Sequence, residues 1–364
     1  MDTHTTPLIE YLESLGYKVE LNNGDSVAKN YDNTNEAMNS LYDGIGLRNI
    51  SHSGILELRG NDSVEFIHRI ATNDVKNLPK EGIAETIFTT EKGRIIDYTT
   101  LLNFESHQLL ITSADFRNKI VSWLNKYIIT DDVKVAVTEK KYYIFELLGP
   151  QAESFATLIC GNIANQIQPN TFKIIHTEGM LFFLAKIKDI KGRIKFWTIS
   201  DEDNARRLTK YIVDNKGIFN FNFIGEDVYN SYRIEQGIPA TPYELNDEVN
   251  PHEAGLMDAV SSLKGCYIGQ EVIARLETYD KVQKLLSGVE FTEPPLPESI
   301  FVLLDNEGKE AGNVTSYVNS LKFKKYIGLA YIRKNFLEPD MKLIAKDQFH
   351  RTLPVEVKSL PFKK

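Results

Sequence analysis

Short apolar runs punctuated by turn residues dominate the pattern of this chain, with amphipathic stripes set between them. GILELRG (54–60) reads as a short strand, and NDSVEFIHRI after it as a helix capped by Asn61 or Asp62. Its Val64, Ile67 and Ile70 fall on one face. Beyond the turn-rich NDVKNLPKEG, the stretch AETIFTTEKGRIIDYTTLLNF predicts a hairpin around Glu91-Lys92-Gly93. ADFRNKIVSWLNKYI has Phe116, Ile120, Trp123, Leu124 and Tyr127 at helical spacing, and KVAVT alternates like a strand. Residues 141–235 repeat the mixture, with no repeat of fixed period. YYIFELLG reads as a strand, AESFATLICG as a helix, MLFFLAKIK and RIKFWTIS as paired strands, and DNARRLTKYIVDN as a helix. Three prolines in FTEPPLPES (291–299) suggest a connector. The short runs beyond it predict a small antiparallel β-barrel or sandwich. The class is α+β.

Composition narrows this picture without changing it. At 364 residues two or three domains are expected. No stretch reaches the roughly 18 apolar residues of a membrane span. The N-terminus has neither a basic-then-apolar signal pattern nor the acid-poor composition of a transit peptide. Two distant cysteines, Cys160 and Cys266, do not make a disulfide scaffold, and a reducing cytoplasm is the expected compartment. A net charge of −8 argues against direct nucleic-acid binding.

The chemistry concentrates in LKGCYIGQEVIARL (263–276). Glycines flanking the Cys266 segment allow a tight turn and an uncrowded sulfur. If GQEVIARL opens a helix, the thiol lies near its amino end, where the helix dipole and Lys264 favour thiolate. A glycine-rich turn holding an inert cysteine is an equal alternative. One cysteine cannot hold an iron–sulfur cluster alone. Cys160, at the end of an amphipathic helix, reads as packing. The seven histidines show no metal-ligand spacing, so no metal site is expected. Asp97, inside an apolar strand, either grips a polar ligand or points outward to water. Arg233 and Glu235, two apart in SYRIEQGIPA, would share a strand face as an ion pair or an anion site. Glu253 in NPHEAGL is a ligand anchor or a helix-start acid.

Several of these stretches together resemble the YgfZ / glycine-cleavage T-protein family, in order along most of the chain. GLRNISHSGILELRGNDSVEFIHRIATNDVKNLPKEG is similar to the family's N-terminal block with its G-x-D…T-N-D pattern. RIEQGIPA and NPHEAGL resemble its central pair, and KGCYIGQEVIAR the signature of the YgfZ branch. AGNVTSYVNSLKFKKYIGLAYI and the final LPF resemble its C-terminal barrel. The resemblance implies three domains around a channel for tetrahydrofolate or a derivative. These would be a mixed α+β domain from 1–50 and 138–285 that carries the cysteine signature, a second mixed domain at 51–137, and a barrel at 290–364.

It also implies a folate-binding accessory protein for assembly or repair of iron–sulfur proteins, which affects tRNA modification only indirectly. Its partners would be folate and iron–sulfur proteins or assembly factors. The residues carried over for that work are Cys266, Lys264, Tyr267, Gln270, Glu271 and Arg275, with Gly265 and Gly269. Those carried over for folate are Thr72, Asn73, Asp74, Asp97, Tyr98, Tyr229, Arg233 and Glu253, with Tyr229 as a stacking surface for the pterin. Two departures argue against aminomethyl transfer. DIKGRIKFWTIS lacks the family's G-Y-T-G-E-x-G stretch, and Tyr98 follows Asp97 where T-proteins carry a second acid. A tetrahydrofolate-dependent one-carbon transferase, with Asp97 orienting the folate nitrogen, is the alternative.

Overall fold

The structure, a computed structural model, describes residues 7–15, 20–21, 28–31, 33–138, 142–189, 191–279 and 281–363. The chain divides into two compact units, one of residues 1–68, 74–86 and 99–229, the other of 69–73, 87–98 and 230–364.

Besides a two-stranded sheet, Glu20–Leu21 with Ala28–Asn30, the first unit contains two large sheets. One has six strands in the order Thr171–Thr177, Met180–Lys188, Ile194–Ser200, Tyr143–Leu148, Ile45–Asn49, Phe221–Ile224. All neighbours are antiparallel except the last pair. Every residue of Tyr143–Leu148 is buried, because this strand is covered on both faces. Phe145 and Leu147 join Phe155 and Leu208 from the helices on one side. Ile144 on the other side meets Ile55, Leu102, Leu109 and Ile111 of a five-stranded sheet. That second sheet contains the expected hairpin, Ile83–Thr89 and Ile95–Asn103, whose tip belongs to the other unit. The helix Glu202–Asp214 shows how locally the pattern acts. Asp201 caps it by accepting from the Asn204 amide at 2.9 Å, and Ala205, Leu208, Thr209 and Ile212 form its buried stripe.

The second unit contains a closed six-stranded antiparallel barrel. Its order is Lys284–Phe291, Lys325–Arg333, Glu310–Ser320, Phe301–Leu304, Lys342–Asp347, Thr352–Lys358, and the last strand pairs back with the first. Val289, Leu303, Ala345 and Val355 are among the residues filling it. The α+β class and the closing barrel are therefore as the pattern predicts. The proline stretch is not a connector ahead of the barrel: it joins Lys284–Phe291 to Phe301–Leu304, the next barrel strand along the chain. A run of prolines marks a break in hydrogen bonding, and loops within a domain provide one as readily as linkers do.

SYRIEQG also departs from expectation. It is the end of a helix, Glu226–Gln236, closed by Gly237 at φ +68°. Residues two apart on a helix diverge by about 200°, so Arg233 and Glu235 do not share a face. Among the described residues no helix is long and apolar enough to cross a membrane.

Candidate functional site

The cysteine loop lies in the second unit and is held at both ends. Lys264 is buried, and its ammonium donates to the carbonyls of Ala71 at 2.6 Å and Asn73 at 2.9 Å. Ser261 N–H donates to Thr72 O at 3.0 Å. At the far end Thr89 Oγ1 donates to Ile268 O at 2.6 Å. Gly269, at φ +85°, has no room for a Cβ, which would come within 2.6 Å of Thr90 O. Between these anchors Cys266 and Gly265 are exposed, and Leu263 is 96% exposed. Tyr267 is buried; desolvation, with Glu277 adding to it, pushes its phenol up to about 12.

GQEVIARL does open a helix, Gln270–Thr278 with Gly269 as its N-cap, and the thiol lies four residues before its first residue. Gln270 is half-buried at its start. Glu271 and Arg275 pair at 2.7 Å on its exposed face. Cys160 differs in kind: it packs against the first unit's core, and burial pushes its thiol up to about 12.

The second unit, which carries the cysteine loop, also contains most residues expected to hold folate. Asp97 is completely buried, so the outward-pointing alternative is excluded. Its Oδ1 accepts from Tyr98 N–H at 3.0 Å and from Thr241 Oγ1 at 3.5 Å. Thr72 is buried too; its hydroxyl donates to Ala259 O at 2.7 Å and accepts from Ile87 N–H at 3.1 Å. Asn73 and Tyr98 are half-buried. Glu253 completes a capping box: Asn250 caps the turn Pro251–Ala254 and Glu253 accepts from the Asn250 amide. The same carboxylate meets Arg94 at 3.2 Å. Arg233 is buried against Glu244 at 2.8 Å, and Ser316 and Thr315 donate to the other oxygen of that carboxylate. Both Arg233 and Glu253 are thus built into the unit's own framework.

Asp74 and Tyr229 belong to the first unit. Asp74 is exposed and lies 3.2 Å from His68 Nδ1. Tyr229 lies under the Arg48 guanidinium at 3.4 Å, which occupies one face of the expected stacking ring. Arg48 binds both oxygens of Glu226, at 2.7 and 2.8 Å, and reaches Glu146 at 3.3 Å. Glu146 also takes Lys195 at 2.9 Å and the Trp197 indole N–H at 3.0 Å. Burial alone would raise the Glu146 carboxyl, but Lys195 and Arg48 outweigh it and hold it down to about 2. Burial raises the Tyr229 phenol, and Glu146 adds to the rise. Among the described residues, no group of three or more His, Cys, Asp or Glu is placed to hold a metal; His4 lies outside them.

The profile of the GCVT N-terminal domain matches residues 9–264, and that of the glycine cleavage T-protein C-terminal barrel domain matches 285–364. The chain belongs to the glycine cleavage T-protein family. Within it, an aminomethyltransferase of Bacillus licheniformis is 26% identical over 364 residues, covering 99% of this chain and 98% of that protein. One from Staphylococcus carnosus is 23% identical, covering 95% and 94%. A chloroplastic protein of Arabidopsis thaliana with a provisional transferase name is 29% identical, covering 85% of this chain and 70% of its own. The crystal structure of the aminomethyltransferase T of the Bartonella henselae glycine cleavage system shares the fold. Its TM-score is 0.83 at 21% identity, over 99% of this chain and 98% of that one.

The Arg48–Glu146–Lys195 cluster escaped the reading of this T-protein sequence. Its signal was present: Glu146 is a lone acid inside the apolar run YYIFELLG, the same anomaly that drew attention to Asp97.

Proposed function

We propose that this T-protein family member is a folate-binding accessory protein of the YgfZ branch, that it serves the assembly or repair of iron–sulfur proteins, and that Cys266 is its working group. The observation that carries the reading is the cysteine loop, in which an exposed thiol sits between two anchors that hold its flanks. An inert turn cysteine needs no such support. A pterin carries N–H groups that a carboxylate can accept, and Asp97 is a buried carboxylate beside half-buried Tyr98. The donor and acceptor set therefore fits tetrahydrofolate, with Asp97 and Asn73 as the groups that would hold it. Bound tetrahydrofolate supplies a carrier of one-carbon units, and the chain's residues bind and orient it. Effects on tRNA modification follow only through client cluster enzymes. Two distant cysteines fit a reducing cytoplasm.

A second reading, one-carbon transfer to tetrahydrofolate, is favoured by the near end-to-end match to bacterial aminomethyltransferases. It predicts ammonia release from an aminomethylated lipoyl carrier.

The deciding experiment is rescue of a [4Fe–4S] enzyme in cells lacking the endogenous gene, with wild type and Cys266→Ser at matched levels. Restoration by wild type alone supports the accessory reading. Equal restoration by both removes the thiol from it, and restoration by neither, with ammonia release in the carrier assay, turns the assignment to transfer.

A further inference from the structure

The segment 259–264 grips the loop 71–73 through hydrogen bonds that include these four. Thr72 Oγ1 donates to Ala259 O, Ser261 N–H to Thr72 O, and the Lys264 ammonium to Ala71 O and Asn73 O. The other end of the cysteine loop is tied to the hairpin tip by Thr89 Oγ1 on Ile268 O and by the close approach of Gly269 to Thr90 O. That hairpin continues into the strand bearing Asp97. Cys266 therefore hangs between the two segments that carry Thr72, Asn73 and Asp97, and a single side chain, Lys264, makes two of those four bonds on one side.

We infer that Lys264 is a positioning residue that couples ligand occupancy at the Thr72–Asn73 loop to the posture of Cys266. The inference rests on the folate reading above and adds a direction of communication to it. A buried ammonium bound to two main-chain carbonyls loses compensation for its charge if either withdraws, so displacement of either carbonyl is resisted at Lys264. A ligand that orders Asn73 thus orders the residues next to Lys264, of which Cys266 is two away. Coupling of this kind is a free energy shared by two sites, measurable at either one.

The test uses the full chain and the rate of Cys266 alkylation by iodoacetamide, read by peptide mass spectrometry. Cys160 serves as a slow reference in the same sample. With saturating 5-formyltetrahydrofolate, wild type is expected to alkylate about fivefold more slowly at Cys266. Lys264→Met should still bind the folate by calorimetry yet show a ratio near one with and without it. Equal protection in wild type and Lys264→Met means the ligand shields the thiol directly, and overturns the coupling. Folate binding to wild type without any change in rate overturns it as well. Failure of wild type to bind folate at all overturns the folate reading beneath it, and the calorimetry separates that case from the others.

A second measurement needs no variant. Hydrogen exchange on wild type should slow at residues 261–266 when the folate is added, and slowing confined to residues 71–74 would overturn the proposal.

Discussion

Glu146 in the first unit and Lys264 in the second are both buried charges, and their partners differ in kind. Glu146 is neutralised by side chains, chiefly Lys195 and Arg48, and Arg48 in turn binds Glu226. Lys264 is held by two peptide carbonyls from a segment more than 190 residues earlier in the chain. The first arrangement is a set of charges around one buried carboxylate: removing Glu146 leaves half-buried cations that water compensates only in part. The second spends a charge on the backbone, so its removal costs the position of a loop more than the stability of a core. A charge network fastens a structure; a charge on peptide groups steers one.

The comparison breaks most visibly at Glu146. Glu146→Gln should destabilise the first unit by about 3 kcal/mol, because it leaves two cations facing a neutral amide. Urea unfolding of the intact chain would show it as an earlier first transition; an unchanged midpoint would mean the network is solvated. The same carboxylate predicts a pH dependence. Its folded pKa, about 2, lies below the ordinary glutamate value, so its contribution is complete above about pH 5 and is lost as pH falls toward 2. Wild type should lose stability across that window, and the part due to this group should be missing from Glu146→Gln.

Lys264→Met should cost less, about 2 kcal/mol, since it leaves two carbonyls without a charged donor. Gly269→Ala should cost about 1–2 kcal/mol, because the residue is at positive φ and a methyl would meet Thr90 O. Both losses should appear in the second unit, and a loss in the first would undo the division drawn here. Cys266→Ser should leave the unfolding midpoint within about 0.5 kcal/mol of wild type, as an exposed thiol contributes little packing. A large loss would recast the cysteine as structural. The exposed Glu271–Arg275 pair should matter least: Arg275→Ala is expected to change stability by no more than about 0.5 kcal/mol.

The sequence was most readable where one element decides its own form. The hairpin around Glu91-Lys92-Gly93, the capped helix from Glu202 and the strand Tyr143–Leu148 announce themselves through period and turn chemistry within a dozen residues. SYRIEQG did not, because its apolar positions are too few to separate a helix end from a short strand. The site divides along the same line. Lys264, Gly265 and Cys266 stand out as a local motif, and Asp97 and Glu146 as acids in apolar strands. What Lys264 grips was beyond reading, since its acceptors are main-chain atoms, and every residue type carries the same ones. The burial of Asp97 was equally closed to inspection, because a strand's inward face is set by what the rest of the chain lays upon it.

One detail of the barrel bears on how this protein would age in a protease-rich extract. The turn through Pro294, Pro295 and Pro297, with Pro294 and Pro297 exposed and Pro295 buried, connects two strands of the ring, after a first strand already paired on both sides, with Lys325–Arg333 and with Thr352–Lys358. A cut in that turn severs the covalent chain but frees no piece of it. The two fragments would migrate together on a native gel and part only in detergent, so a nicked preparation would pass for an intact one until denatured.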